Sequence, residues 1–259
     1  LEDYMDLIKD YLGTDDDDSE GDSNDDYFDK LRRGLERLLG PLGWDQFPYD
    51  PDDPYDGAPS KTYDPLVLDL DGDGIETSDL EQGTYFDFDQ SGFAEKSAWV
   101  RSDDGLLVMD RNNDGKINNG GELFGDRTQL KNGSMAKDGF EALADLDSNN
   151  DGVIDINDED FTKLQVWRDL NGDGQVGDSE LFYLNQLEIK SLKLSNETLS
   201  QKEQNGNVLE KLGSCEKEDG TSLSMGEYFF RVDTVDSKVN EEIQLSDDIK
   251  QLPNLKGHG

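Results

Sequence analysis

The sequence is short of cysteine, histidine, basic residues and long apolar runs, and each shortage closes off a class of function. One cysteine, Cys215, stands among 259 residues. An intrachain disulfide and a site with several thiolates are therefore both excluded. The single histidine, His258, lies beside the last residue. That placement disfavours a Ser-His-Asp or Cys-His pair, and the H-E-x-x-H zinc pattern is absent. Lys and Arg number 24 against 62 Asp and Glu, a formal net charge of -38. Phosphate contacts need basic patches, so a nucleic-acid partner is excluded and an anionic membrane surface is disfavoured. No run of 18 apolar residues occurs, so the sequence offers no membrane span.

What is present is acid, and its position matters more than its amount. Hydrophobic residues make up 32% of the chain, enough for one sizeable domain with appendages or for two small ones. Residues 1–13 place Leu1, Met5, Ile8 and Leu12 at roughly helical spacing. From Asp15 to Asp26, eight of twelve residues are acidic; such a run repels itself and predicts a linker. Residues 26–39 predict a helix with Phe28, Leu31, Leu35, Leu38 and Leu39 on one face, ended by Gly40-Pro41. Residues 41–65, rich in Pro, Asp, Tyr and Gly, read as an extended linker. It carries three Asp-Pro bonds: Asp50-Pro51, Asp53-Pro54 and Asp64-Pro65. The last abuts Leu66-Val67-Leu68, the first apolar run able to enter a core.

Between about 65 and 190 the acidic residues recur in short blocks with glycine. The pattern is that of a calcium loop, with oxygen ligands at positions 1, 3, 5 and 12, glycine at 6 and an apolar residue at 8. Asp169, Asn171, Asp173, Gly174, Val176 and Glu180 match it throughout. Asp147, Asn149, Asp151, Gly152 and Ile154 match nearly as well, with Asp158 at position 12. Asp110, Asn112, Asp114, Gly115 and Ile117 match a third time, with Glu122 one residue late. Asp69, Asp71, Asp73 and Gly74 match at the start only. Asp87, Asp89, Ser91 and Gly92, with Glu95 at position 9, give a fifth and poorer match. Calcium takes six to eight oxygens, alternating residues converge on it, and glycine permits the sharp turn. An ordinary Asp-Gly turn is the competing reading of any one loop.

The flanks of the two best loops predict helices. Phe140, Leu143, Ala144 and Leu146 give a face before the loop at 147. Phe161, Leu164 and Trp167 give one between the loops, and Leu181, Leu184 and Leu187 one after. Trp99 and Leu106-Leu107-Val108 read as strand or core. After 188 the pattern alternates. Ile189, Leu192 and Leu194 predict a strand. Val208–Cys215 and Ser222–Val232 predict a hairpin around Glu218-Asp219-Gly220, anchored by Tyr228, Phe229 and Phe230. The expected fold class is α+β: a calcium-loop module with paired EF-hand-like helix-loop-helix units and a β-rich C-terminal part. The expected division is residues 1–64 as a flanking acidic, helical and Pro-rich segment, 65–245 as the module, and 246–259 as a tail.

The stretch Tyr63-Asp64-Pro65-Leu66 running into Asp69-Leu70-Asp71-Gly72-Asp73-Gly74-Ile75-Glu76-Thr77 resembles the start of the self-processing module of FrpC-like RTX (repeats-in-toxin) proteins. Asp103-Asp104-Gly105-Leu106-Leu107-Val108, Gly121-Glu122-Leu123-Phe124-Gly125-Asp126, Leu146-Asp147-Ser148-Asn149 and Val166-Trp167-Arg168-Asp169-Leu170-Asn171 extend the resemblance over about 65–240. It implies that calcium triggers cleavage of the Asp64-Pro65 bond. Asp64 is then the reacting residue and Pro65 the new N-terminus. It further implies that the freed Asp64 carboxyl can join a lysine amine of the same or another protein, and that the protein is secreted. The glycine-rich nonapeptide repeats that name the RTX group are absent from this sequence, so secretion rests on the resemblance alone.

The chemistry is within reach of these residues. The Asp64 side chain can attack its own backbone carbonyl and close a five-membered anhydride. Nucleophile and electrophile share one residue, so the effective molarity reaches the order of 10⁵ M. The leaving group is a proline nitrogen, whose tertiary amide has a weaker trans preference. Water opens the anhydride to a cleavage product and a lysine amine opens it to an isopeptide; Lys61 is the nearest lysine. Glu76, Tyr63 and water are the candidate proton donors to the proline nitrogen. Calcium is the expected cofactor and switch. A site of about 10 µM affinity in about 1 mM calcium adds roughly 2.7 kcal/mol to folding, and three to five sites roughly 8 to 14. The competing reading is a non-catalytic calcium-folded interaction or spacer module with an inert Asp64-Pro65. A calcium sensor fits less well, since a Met-rich groove is not to be built from four methionines.

Overall fold

The computed structural model describes residues 62–239. The expected helices at 1–13 and 26–39, the acidic run, most of the Pro-rich linker, Lys61, the tail at 246–259 and His258 lie outside the described residues. Within them the chain is built of strands: β1 (Thr62–Tyr63), β2 (Leu66–Leu68), β3 (Thr84–Phe86), β4 (Phe93–Ser97), β5 (Gly105–Val108), β6 (Val153–Ile154), β7 (Gln165–Trp167), β8 (Leu181–Tyr183), β9 (Ile189–Lys193), β10 (Glu197–Lys202), β11 (Val208–Lys217) and β12 (Ser222–Val239). Among the described residues one α-helix is present, Gly139–Ala144, with short 3-10 turns elsewhere. No helix there is long and apolar enough to cross a membrane.

All strand pairings are antiparallel. The main path runs β6-β9-β11-β12-β2-β5-β7-β8, curled into a half-barrel. β12 is the longest strand. Besides β11 and β2 it pairs with β1 and with β4, which in turn pairs with β3. The expected hairpin is present as β11 and β12, turning through Gly220 at φ +87°, a value that glycine adopts without the cost of a Cβ. Tyr228 and Phe230 are buried and Phe229 is half-buried.

The central strands are apolar on both faces. Leu66, Leu68, Leu107 and Val166 join a core with Phe124, Phe140 and Leu143 on one side. Val67, Leu106, Val108 and Trp167 join a second core on the other. This is why β2 and β5 read as unbroken apolar runs and not as alternation. The second core is aromatic. Phe86, Phe88, Trp99, Trp167 and Phe230 pack with ring centroids 5.0 to 6.3 Å apart.

The expected α+β class with paired EF-hand-like helix-loop-helix units is corrected by this architecture. Only the helix before the loop at 147 forms, with Phe140 and Leu143 buried and Asp138 capping it by accepting from the Glu141 amide at 2.7 Å. Between the loops, Phe161–Lys163 makes a 3-10 turn and Gln165–Trp167 a strand between β5 and β8. After the second loop, Leu181–Tyr183 is a strand and Leu184–Leu187 a 3-10 turn. A helix of two turns is marginal on its own and would bury one face of this segment. As strand β7, Gln165, Val166 and Trp167 are all buried. Burial on both sheet faces therefore outweighs the helical spacing of Phe161, Leu164 and Trp167.

Leu107 and Leu106, both wholly buried in β5, face the first and the second core respectively and together test the doubly covered sheet. Leu107→Ala and Leu106→Ala are each expected to cost about 2–5 kcal/mol in urea unfolding; a loss below about 1 kcal/mol in either would mean that the strand is not packed on that face.

Candidate functional site

Asp64 and Pro65 sit in the gap between two short strands that pair with the same neighbour. Tyr63 lies opposite Phe230 on β12, and Leu66 lies opposite Glu227. The ladder is interrupted between them, because proline has no N–H to give. The flanks are pinned on every side. The Tyr228 amide donates to the Pro65 carbonyl at 3.2 Å, and the Leu66 amide to the Phe124 carbonyl at 3.0 Å. Tyr63 stacks on Phe88 with ring centroids 4.4 Å apart, and its hydroxyl donates to Glu95 Oε2 at 2.7 Å. Burial and that acceptor push the Tyr63 phenol upward.

Asp64 itself is buried, with 4% of its surface exposed. The Asp126 amide donates to its Oδ1 at 2.9 Å. Gly125 makes room for it: a Cβ there would stand 3.0 Å from both the carbonyl oxygen and Oδ1 of Asp64. By register, with Tyr63 opposite Phe230 and Leu66 opposite Glu227, Asp64 and Glu227 are diagonal neighbours on one face of the ladder, both buried. Burial first, then its acidic neighbours Asp126 and Glu227, push Asp64 up to about 8 against the pull of the Asp126 amide. A cleft with room for about one water, ≈ 10 Å³, opens on the bond between Phe88, Leu123, Asp126 and Arg127.

Glu227 is deeper still, 1% exposed. The Gly139 amide donates to its Oε1 at 3.1 Å. The Lys211 ammonium, across the β11–β12 ladder, stands 3.0 Å from Oε2 and also reaches Asp138 Oδ2 at 2.6 Å. The approach to Oε2 has the distance of an ion pair but not the angles of a hydrogen bond, so Oε2 has no hydrogen-bond partner. Burial raises Glu227, while Lys211 lowers Asp138 and is itself raised by both carboxylates.

The acidic loops share one backbone template. In the loop at 169, the Asp173 amide at 3.2 Å and the Gly174 amide at 2.9 Å donate to Asp169, and the Asp173 amide donates to Asn171 at 2.9 Å. Asp173 accepts from the Gln175 amide, and Glu180 closes the loop by accepting from Leu170 and Gly177. The loop at 147 repeats this with Asp147, Asn149 and Asp151, closed by Asp158 on the Ser148 and Asp155 amides. The loop at 110 repeats it with Asp110, Asn112 and Asp114. Its Glu122, although one residue late, accepts from Arg111 and Asn118 and does the same work. In the loop at 87, Asp87 accepts from Ser91 and Gly92, and Asp89 from Ser91. Glu95 lies on β4, turned to Tyr63.

The loop at 69 is completed from elsewhere in the chain. Asp69 and Asp71 accept from Gly72 and Asp73. Asp104, fully buried, reaches in to accept from the Leu70 and Glu76 amides at 3.1 and 2.8 Å. Carboxylate oxygens of Asp69, Asp71 and Asp104 lie within 4.8 Å of one another, as do those of Glu76, Asp103 and Asp104. Sequence reasoning missed Asp103 and Asp104 as partners of this loop, because a local loop pattern does not look 30 residues ahead; the Asp103-Asp104-Gly105 motif was the available signal. Glu76, expected as a proton donor to proline, belongs to this acidic group. Burial pushes Asp104 up to about 7, and raises Asp87, Glu122 and Asp169 as well. The donor sets are all oxygen, the chemistry that suits a hard divalent cation such as calcium. A ring of raised carboxylates is the charge that such a cation would neutralise.

The loops are wired to the bond through the cores. The Asp69 amide donates to Ser224 on β12, directly after β2. Glu95 holds Tyr63, the residue before Asp64. The Trp99 indole N–H donates to Asp169 at 2.8 Å, linking that loop to the aromatic core. Cys215, buried with its thiol pushed up to about 11 by burial, takes no part.

The raised Asp64 carboxyl has a consequence for stability. Asp64 keeps its proton in the folded chain up to about pH 8, whereas in an unfolded chain it ionises near 4. Between these values folding takes up a proton, so this group lowers stability as pH rises, by up to about 1.4 kcal/mol per pH unit. Asn in its place mimics the protonated acid. Urea unfolding of Asp64→Asn between pH 5 and 8 is expected to show a flatter pH dependence and a relative gain at pH 8; an unchanged slope would mean that Asp64 is ionised in the folded state.

The SPM domain family model matches residues 66–231, beginning at the second residue after Asp64. The iron-regulated protein FrpA of Neisseria meningitidis serogroup C is 42% identical over 233 residues, 83% of this chain and 21% of that protein. The chain thus spans about a fifth of the length of that relative.

Proposed function

The chain belongs to the SPM-domain family, and from that premise we propose that it is a calcium-triggered self-processing module that breaks its own Asp64-Pro65 bond. The observation that carries this reading is the seat of the bond. A linker dipeptide would be solvated and mobile. Asp64-Pro65 is instead buried in a gap of the ladder on β12, with Tyr63 and Leu66 fixed on either side.

The Asp64 side chain supplies the nucleophile. A carboxylate oxygen bonds to the Asp64 carbonyl carbon, the bond to the Pro65 nitrogen breaks, and the electron pair leaves on nitrogen, which takes a proton. The anhydride then opens with water to leave Asp64 as a free C-terminus, or with a lysine amine to leave an isopeptide. Proximity within one residue supplies the rate. Pinning of Tyr63, Pro65 and Leu66 to β12 and Phe124 fixes the approach, and the cleft beside Asp126 and Arg127 admits one small nucleophile at a time.

Calcium, held by Asp69, Asp71, Asp73 and Asp104 and by the loops at 87, 110, 147 and 169, would neutralise clustered carboxylates and so favour the folded state. The residues that it would fold are the ones that hold the bond. Following the resemblance to secreted RTX proteins, the switch would operate on leaving a low-calcium cytosol. The loops at 69 and 87 act on the bond through β2 and Tyr63, and those at 110, 147 and 169 mainly stabilise the fold.

Addition of millimolar calcium to the full chain is expected to give fragments of 64 and 195 residues by intact mass, the larger beginning at Pro65, and none in Asp64→Ala. Heavier species carrying an Asp64-lysine linkage would report ligation. An intact chain that folds with calcium would instead leave a non-catalytic spacer or interaction module. Asp73→Ala and Asp173→Ala separate the roles of the loops. The first is expected to slow cleavage by more than its loss of folding explains, the second only in proportion to folding. Equal losses in both readouts would sink that division.

A further inference from the structure

Glu227 is a buried carboxyl on the same face of the ladder as the reacting side chain and diagonal to it, and no sequence motif pointed to it. It lies on β12 opposite Leu66, wholly buried, with Oε1 held by the Gly139 amide and Oε2 facing Lys211 at 3.0 Å. We propose that Glu227 is a catalytic residue of the self-cleavage reaction, taking the proton from the Asp64 carboxyl and delivering it to the Pro65 nitrogen. This rests on the proposed self-cleavage of Asp64-Pro65 and supplies its missing acid and base.

The arrangement fits the task in three respects. First, Asp64 is protonated in the folded state and is a poor nucleophile in that form. Its Oδ1 accepts from the Asp126 amide, and Glu227 is its buried diagonal neighbour across the ladder, so the proton has a neighbour to go to. Second, Lys211, shared with Asp138, the helix cap, stands 3.0 Å from Glu227 Oε2 and opposes the upward push of burial on that carboxyl. That ammonium is shared between two carboxylates, Asp138 and Glu227, and no ammonium is paired with Asp64 among the described residues, so the buried Asp64–Glu227 pair keeps one proton between them. Third, Glu227 is fixed by a backbone amide and a cross-strand ion pair, next to Tyr228, whose amide holds the Pro65 carbonyl. Asp126 and Arg127 are the other charged groups beside Asp64, at the cleft.

The step balances without another reactant. Glu227 accepts the Asp64 proton, and the freed carboxylate oxygen bonds to the Asp64 carbonyl carbon. The C–N bond breaks, and the proton on Glu227 passes to the Pro65 nitrogen, which leaves as a secondary amine. Glu227 ends as it began. The active form holds one proton on the pair, so the rate falls at alkaline pH as that proton is lost, near pH 8, and at acid pH as Glu227 takes a second.

The test is the calcium-triggered cleavage rate of the full chain from pH 5 to 10, with folding followed in parallel by tryptophan fluorescence. Glu227→Gln keeps an acceptor for the Gly139 amide and cannot carry the proton. It is expected to fold with calcium and cleave about 10²- to 10⁴-fold more slowly. A folded Glu227→Gln with the wild-type rate and pH profile overturns the proposal. Should that variant fail to fold, Lys211→Met decides. Removing the ammonium strengthens the pair's hold on its proton, so the alkaline limb is expected to move up by about one pH unit; an unmoved limb overturns the proposal. A wild-type chain that folds with calcium and never cleaves removes the self-cleavage reading and this inference together, an outcome distinct from cleavage that ignores Glu227.

Discussion

The structure depends on one strand. β12 offers hydrogen bonds to β1, β2, β4 and β11, and so draws the start of the described chain, its middle and its end onto a single ladder. Two consequences follow. The pieces before and after Pro65 are both fixed to β12, and the interruption between them is fixed by default. And whatever β12 carries at that level faces the interruption, which is how Glu227 and Tyr228 come to stand against Asp64 and Pro65. An isolated Asp-Pro dipeptide has no such environment, so any reactivity beyond the ordinary must come from this pairing.

The second constraint is charge. A net charge of -38 opposes compaction, and the fold meets part of it locally. In the loops at 110, 147 and 169, side-chain oxygens accept from amides two to five residues ahead, and a last carboxylate ties the loop shut. The template is the same although the flanks are helix in one case and strand in others. What defines these units is therefore the loop and not the helices around it. The loop at 69 lacks its own closing residue and borrows Asp104 from the turn before β5. That borrowing ties the loop nearest the bond to the centre of the sheet.

The same distinction between local and distant pairing explains how much was legible in the sequence. Asp169 to Glu180 and Asp147 to Asp158 were readable because their partners lie within twelve residues. The hairpin of β11 and β12 was readable because alternation and Asp219-Gly220 are adjacent. Helices at Phe161–Trp167 and Leu181–Leu187 were expected from a spacing that also fits a turn followed by a strand in the first case and a strand followed by a turn in the second. The choice was made by Leu106 and Leu107, distant in sequence, which give Trp167 and Val166 a partner strand. Glu227, Asp104 and Gly125 owe their places to register and close approach, and nothing in their own neighbourhoods announces it. Gly125 came nearest to being visible, inside Gly121-Glu122-Leu123-Phe124-Gly125-Asp126, since a glycine can also mark a close approach of backbone.

On the proposed reading, the charge and the chemistry are one design. Burying Asp64 against Glu227 places two carboxyls in a medium that resists ionising both. That cost is met by folding elsewhere, and folding is opposed by the clustered acids of the loops until a cation relieves them. The unfolded chain has the same Asp64-Pro65 bond but lets both carboxyls reach water and ionise independently, with no shared proton to deliver. The reactive arrangement is therefore a property of the folded state alone. A switch placed on folding needs no separate lid or inhibitory contact to keep the bond intact beforehand.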